Sequence, residues 1–148
     1  MSTEEEARKV YCYLTESVLG NGERPRCTYG EVEKETGVPM GEHGGHIGRV
    51  LGLVQRACAR RGLPPLSSIV VRPGDDEIPG PGYFDDLANI AQEGNPAHWR
   101  IDPGILSQWG SRVRSAGIDK DIERWRYKEM VAEHQSQVWG HPDWPPTI

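Results

Sequence analysis

Two histidines three residues apart, His43 and His46, stand beside Glu42 in a glycine-rich stretch. Imidazole and carboxylate donors at this spacing are the raw material of a metal centre, and a hydrolase built on them is one conceivable reading. A protein zinc site needs three or four donors, and the remaining histidines, His98, His134 and His141, are far away in sequence. No metal or other cofactor is therefore expected. Glycines 41, 44, 45 and 48 precede and enter a helix, as phosphate-cradling loops do. They lack the following Lys-Ser or Lys-Thr pair and the spaced fingerprint after a strand. A turn with positive backbone dihedrals explains them. Ser67 and Ser68 have no base nearby in sequence, which leaves nucleophilic catalysis unsupported.

Stacking chemistry is the other option. Trp99, Trp109, Trp125, Trp139 and Trp144 all fall in the last third, interleaved with Arg100, Arg112, Arg114, Arg124 and Arg126. Such a set can stack bases. Packing of C-terminal helices onto the rest of the chain is the favoured reading, with ring nitrogens finding partners inside; Trp144, in a proline-rich tail, fits it least.

The chain has 148 residues and a net charge of −5, unevenly placed. Residues 1–23 carry net −3, residues 24–72 net +4 and residues 73–148 net −6. A basic middle between acidic ends points to an anionic partner for the middle third. The three cysteines, Cys12, Cys27 and Cys58, have wide spacing that suggests neither a zinc knuckle nor a disulfide scaffold. Cys12 and Cys58 read as buried reduced thiols. No stretch is long and apolar enough for a membrane span, and Glu4-Glu5-Glu6 is wrong for a signal peptide. The expectation is a cytoplasmic protein without membrane attachment.

The elements that must position these residues follow from periodicity. Thr3 and Glu6 have capping-box spacing, and Ala7, Val10, Tyr11, Leu14 and Val18 form an apolar stripe that Gly20 ends. Thr28 and Glu31 form a second capping box, opening a short helix from Tyr29 to Thr36 that Gly37 stops. A third helix runs from about His46 to Arg61. Ile47, Val50, Leu51, Val54 and Cys58 share its apolar face, while Arg49, Arg56 and Arg60 fall in a narrow arc opposite, with no acidic residue between Gly45 and Arg61. Leu66 to Val71 reads as a strand, residues 73–76 as a turn, and residues 77–84 as an edge segment because of their prolines. Beyond, Asp102-Pro103 opens a helix to about Arg114. A longer helix follows from Asp119 to about Trp139, burying Ile122, Tyr127, Met130, Val131, His134 and Val138.

This order, helix, short helix, longer helix and hairpin, is that of a winged helix. Thr28-Tyr29-Gly30-Glu31, Gly37, His46-Ile47-Gly48-Arg49-Val50-Leu51 and Leu63-Pro64-Pro65 through Val71, Gly74 and residues 79–83 resemble the DNA-binding domain of alkylguanine-DNA alkyltransferases and alkyltransferase-like proteins. The resemblance covers residues 24–84. It implies a recognition helix in the DNA minor groove and a phosphate-contacting tyrosine at Tyr29. The family's base-replacing arginine falls near Gly45 and is absent. Its Pro-Cys-His-Arg motif aligns near Pro65-Leu66-Ser67-Ser68, so acceptor cysteine and activating histidine are both missing. The resemblance thus implies a binding scaffold without the transfer reaction.

The expectation is a mostly helical α+β protein, with a winged-helix-like domain over residues 1–84 and a C-terminal helical extension over residues 85–148 packed on it. Its expected function is non-enzymatic DNA binding, through Tyr29, His46, Arg49, Arg56, Arg60 and Arg72. The rival reading is a protein-interaction or adaptor module of phage or bacterial-defence context. It would present the basic helix face or the Trp-rich end to an acidic protein, consistent with the overall negative charge.

Overall fold

The computed structural model describes residues 1–74, 78–94, 99–102 and 124–148. The expected helix from Asp102 to Arg114, the start of the last helix with Ile122, and His98 and Trp109 lie outside these residues. The protein is α+β and mostly helical. Helix α1 (Thr3–Cys12) continues as a wider π-helical turn to Val18; β1 (Cys27–Thr28) leads directly into α2 (Tyr29–Thr36). Next come α3 (Gly45–Arg60), a 3-10 turn (Leu66–Ile69), β2 (Val70–Val71), α4 (Pro81–Gln92) and α5 (Arg124–Gly140). The two strands pair in parallel, Cys27 with Val70 and Thr28 with Val71.

The starts of the helices show what the local sequence decides. At α2 the capping box is present as expected: Thr28 Oγ1 accepts from Glu31 N–H at 3.2 Å, and Glu31 accepts from Thr28 N–H at 3.1 Å. At α1 the expected box is displaced by one residue. Ser2 is the cap, accepting from Glu5 N–H, which leaves the Glu6 carboxylate for another use. Gly20 is not the left-handed stop; the helix widens first, with Leu19 N–H reaching back five residues to Leu14 O at 2.9 Å. Thr15, whose hydroxyl donates to Tyr11 O at 3.0 Å, competes for the carbonyls of that turn.

Residues 40–45 turn the chain into α3 through left-handed residues: Gly41 (φ 74°), His43 (φ 54°) and Gly44 (φ 72°). Met40 O then accepts from both His46 N–H and Ile47 N–H. A Cβ on Gly41 would lie 2.6 Å from His46 Cβ and 2.8 Å from its backbone nitrogen. Gly41→Ala should therefore cost about 2 kcal/mol or more, combining a forbidden dihedral with a backbone clash. Chemical denaturation measures this, and an unchanged midpoint would refute the turn as described.

Two expected elements are corrected. Leu66–Ile69 is a 3-10 turn rather than a strand, because Ser68 N–H closes back on Pro65 O at 3.0 Å; only Val70 and Val71 extend. The edge segment expected over residues 77–84 is instead the approach to α4. One bond, Arg72 N–H to Ile78 O at 2.9 Å, makes the return of the hairpin. Pro81 then opens the helix at a position where the missing N–H costs nothing. Helix α4 accordingly runs across residue 84, where the C-terminal extension was expected to begin.

The apolar face of α3 is buried as its period requires: Ile47, Val50, Val54 and Cys58 are inaccessible, and Leu51 nearly so. It packs on α1 and the 3-10 turn, while α4 lies along its flank. Helix α5 covers the 3-10 turn and buries Tyr127, Met130, Val131, His134 and Val138, the side expected from the sequence. Cys27 and Cys58 are buried thiols, whereas Cys12 is half-buried rather than enclosed. The proline-rich tail is docked. Tyr11 donates to Pro145 O, Arg61 donates to Thr147 O at 2.7 Å, and Trp144 meets the Tyr11 ring edge-on at 6.4 Å.

Candidate nucleic-acid interface

A cleft of about 570 Å³ opens between the start of α3 and the start of α4. Tyr29, Arg49 and Arg72, three of the six residues expected to contact DNA, line it, with Met40, Asp85 and Asp86 among the other walls. Arg49 is exposed at the first turns of α3. Arg72 follows β2 and is half-buried. Tyr29 begins α2, and its hydroxyl accepts Gly80 N–H at 2.7 Å, so it fastens the approach to α4 while keeping its own proton to donate. Burial pushes that hydroxyl up to about 12, opposed by the Gly80 N–H.

The other three residues are placed differently. His46 turns away from the cleft and meets the Glu6 carboxylate of α1, with Nε2 3.0 Å from Oε2. The carboxylate read as part of a cap thus ties α1 to the head of α3. Arg60 is exposed near the end of α3. Arg56 lies between them on the flank that α4 covers, with Nη1 3.5 Å from Glu93 Oε1. The arginine arc expected to face solvent is therefore open at both ends and partnered in the middle.

Asp86 is the group that the sequence reading missed. Its half-buried carboxyl is pushed up to about 6, chiefly by burial; Arg56 opposes the shift and Asp85 adds to it. With Pro81 recognised as a helix start, the signal is legible: Asp86 is three residues after buried Tyr83 and four before buried Ile90, on their shared face.

Behind the cleft lies a buried polar chain. His134 Nε2 faces Arg100 O, a carbonyl that can only accept, so Nε2 carries the proton. Nδ1 then accepts from the Tyr83 hydroxyl at 2.7 Å. Ser67 donates to Gln55 Oε1, and Gln135 Nε2 donates to Ser68 O at 2.9 Å. Burial pulls His134 down to about 4, which keeps it neutral. The serines aligned with the alkyltransferase motif thus tie the 3-10 turn to α3 and α5. The thiols of Cys27 and Cys58 are both pushed up to about 12 by burial, far from the thiolate that alkyl acceptance requires.

Two tryptophans pack as the sequence favoured, with their ring nitrogens partnered: Trp99 is buried, donating to Leu63 O at 2.8 Å, and Trp139 donates to Pro25 O at 2.9 Å under Arg26. Trp144 packs against Tyr11 and His141, but its ring nitrogen is buried without a hydrogen-bond partner among the described residues. Trp125 is the exception, 57% exposed on α5. Among the described residues no group of three or more His, Cys, Asp or Glu side chains could hold a metal, and no helix is long and apolar enough to cross a membrane. Comparison with protein-family models, curated proteins and solved structures finds no match.

Proposed function

We propose that the protein binds DNA without catalysing a reaction on it, presenting α3 and the cleft at its head to the phosphate backbone. The observation that carries this reading is the exposure of Arg49 and Arg60 on α3. Arg72, on the same cleft as Arg49, adds a third cation. Tyr29 contributes a hydroxyl whose proton is available to a phosphate oxygen.

Three contacts imply weak, salt-sensitive association, with log affinity falling against log salt at a slope of roughly −3. Titration of duplex DNA at two salt concentrations tests this. Arg49→Glu combined with Arg60→Glu should weaken binding at least about tenfold and flatten the slope to roughly −1. Absent or salt-independent binding by the wild-type protein rejects the reading.

A second reading, a protein-interaction module, is favoured by Trp125, the one large aromatic ring exposed among the described residues. Exposed tryptophans are frequent anchors of protein interfaces. Size-exclusion chromatography with and without duplex DNA separates the two: co-elution with DNA supports the first reading, and an unchanged profile favours the second.

A further inference from the structure

On α4 and at its C-cap, Asp86, Ile90 and Glu93 recur at intervals of four and three and so share one face. Ile90 is only 4% exposed, and the two carboxylates flank it along the side that packs on α3. The α3 face beneath them carries Arg49, Gly52, Arg56 and Arg60, at intervals of three, four and four. Gly52 has a steric role here: a Cβ at that position would lie 2.8 Å from Asp86 Oδ2. Its absence lets the Asp86 carboxylate settle directly over the α3 backbone, one turn before Arg56. Glu93 Oε1 lies 3.5 Å from Arg56 Nη1. A carboxylate oxygen of Glu93 therefore stands where a phosphate oxygen would approach Arg56.

We infer that α4 is a built-in competitor for nucleic acid: Glu93 pairs with the central arginine of the α3 ridge, Asp86 adds negative charge over the α3 backbone one turn away, and phosphate contact is restricted to the two ends of the ridge. The inference rests on the DNA-binding reading. The Arg56 and Glu93 side chains are 35% and 62% exposed, and ion pairs of that exposure are weak. The contact is thus a brake that sets affinity rather than a lock that abolishes it.

The test compares four full-length proteins on one duplex at two salt concentrations: wild type, Asp86→Asn with Glu93→Gln, the same pair with Arg56→Gln, and a control pair, Glu16→Gln with Glu23→Gln. The control removes two exposed carboxylates outside α3 and α4, so it reports the effect of net charge alone. The α4 pair should raise affinity about tenfold at low salt and steepen the salt slope by about one, because Arg56 gains a phosphate. Arg56→Gln should abolish that gain. The inference is overturned if the control pair gains as much, if the slope does not change, or if the gain survives Arg56→Gln. If wild type binds and the α4 pair gains nothing, the brake alone is refuted. If wild type binds at neither salt concentration, the DNA-binding reading fails and the brake with it.

Discussion

Phe84→Ala should lower the unfolding free energy by about 3–5 kcal/mol, the range for emptying a buried aromatic site. Phe84 is 1% exposed and stands between two other rings. Its centroid is 5.5 Å from Tyr83 and 5.3 Å from Tyr127, both nearly perpendicular. Edge-to-face contacts of this kind add to the area term, and the one with Tyr127 spans the seam between α4 and α5. Domains of this size are usually stable by about 5–15 kcal/mol, so this change removes a large share of the total. Urea denaturation should show a lower midpoint with an unchanged slope, since loss of packing leaves the area exposed on unfolding almost the same. A loss below about 1 kcal/mol would mean that the site collapses freely and that the seam is looser than described.

The second large effect is a pair of opposed pH dependences. His134 is pulled from 6.5 to about 4 in the folded protein. Between those values the unfolded chain takes a proton that the native state refuses, so stability falls as pH drops through the window, by about 3 kcal/mol in all. Asp86 is pushed from 3.8 to about 6. There the native state holds the proton that the unfolded chain has released, so stability falls as pH rises through nearly the same window. Because the Asp86 carboxyl keeps some contact with water, its share is discounted to about 1–2 kcal/mol. Asp86→Asn should therefore stabilise the protein by about 1–2 kcal/mol near pH 7.5, and the advantage should vanish near pH 4. The variant should also show a steeper acid decline than wild type, since His134 then acts without an opposing group. Denaturation curves for both proteins at about pH 7.5, 5.5 and 4 measure this; a constant difference across the range would contradict the assignment to Asp86.

A carboxylate that costs stability at neutral pH calls for a reason to be there. In the α3–α4 packing the reason is electrostatic: Asp86 acts on Arg56, and Gly52 makes room for it. Functional surfaces commonly hold groups at a cost to stability. On Asp86→Asn the expected rise in stability comes from removing a half-buried charge, and the expected rise in affinity from weakening the negative field beside Arg56.

The parts of this fold that were legible in the sequence are those written in a single period. Ile47, Val50, Leu51, Val54 and Cys58 mark the buried face of α3 by spacing alone, and Thr28 with Glu31 fixes the start of α2 through bonds between near neighbours. The buried side of α5 was legible for the same reason. What was hidden depends on partners distant along the chain. Glu6 has the spacing of a cap, yet its carboxylate goes to His46, forty residues away. Strands of two residues, β1 and β2, are too short to show alternation, and their parallel pairing joins segments that only tertiary contact brings together. Pro81 is compatible with both an edge strand and a helix start; packing of Tyr83, Leu87 and Ile90 decides for the helix. Reading it as a strand concealed the acidic face of α4, and with it the partner of Arg56.

The docked tail bears on how the protein is made. Tyr11 lies on α1, but the carbonyl it donates to lies 134 residues later. At ordinary translation speeds that interval is on the order of ten seconds, during which this edge of α1 lacks its cover. A contact between segments so far apart along the chain forms late and slowly. Nascent chains stalled before Trp144 should consequently be more readily cleaved by protease within α1 than the finished protein.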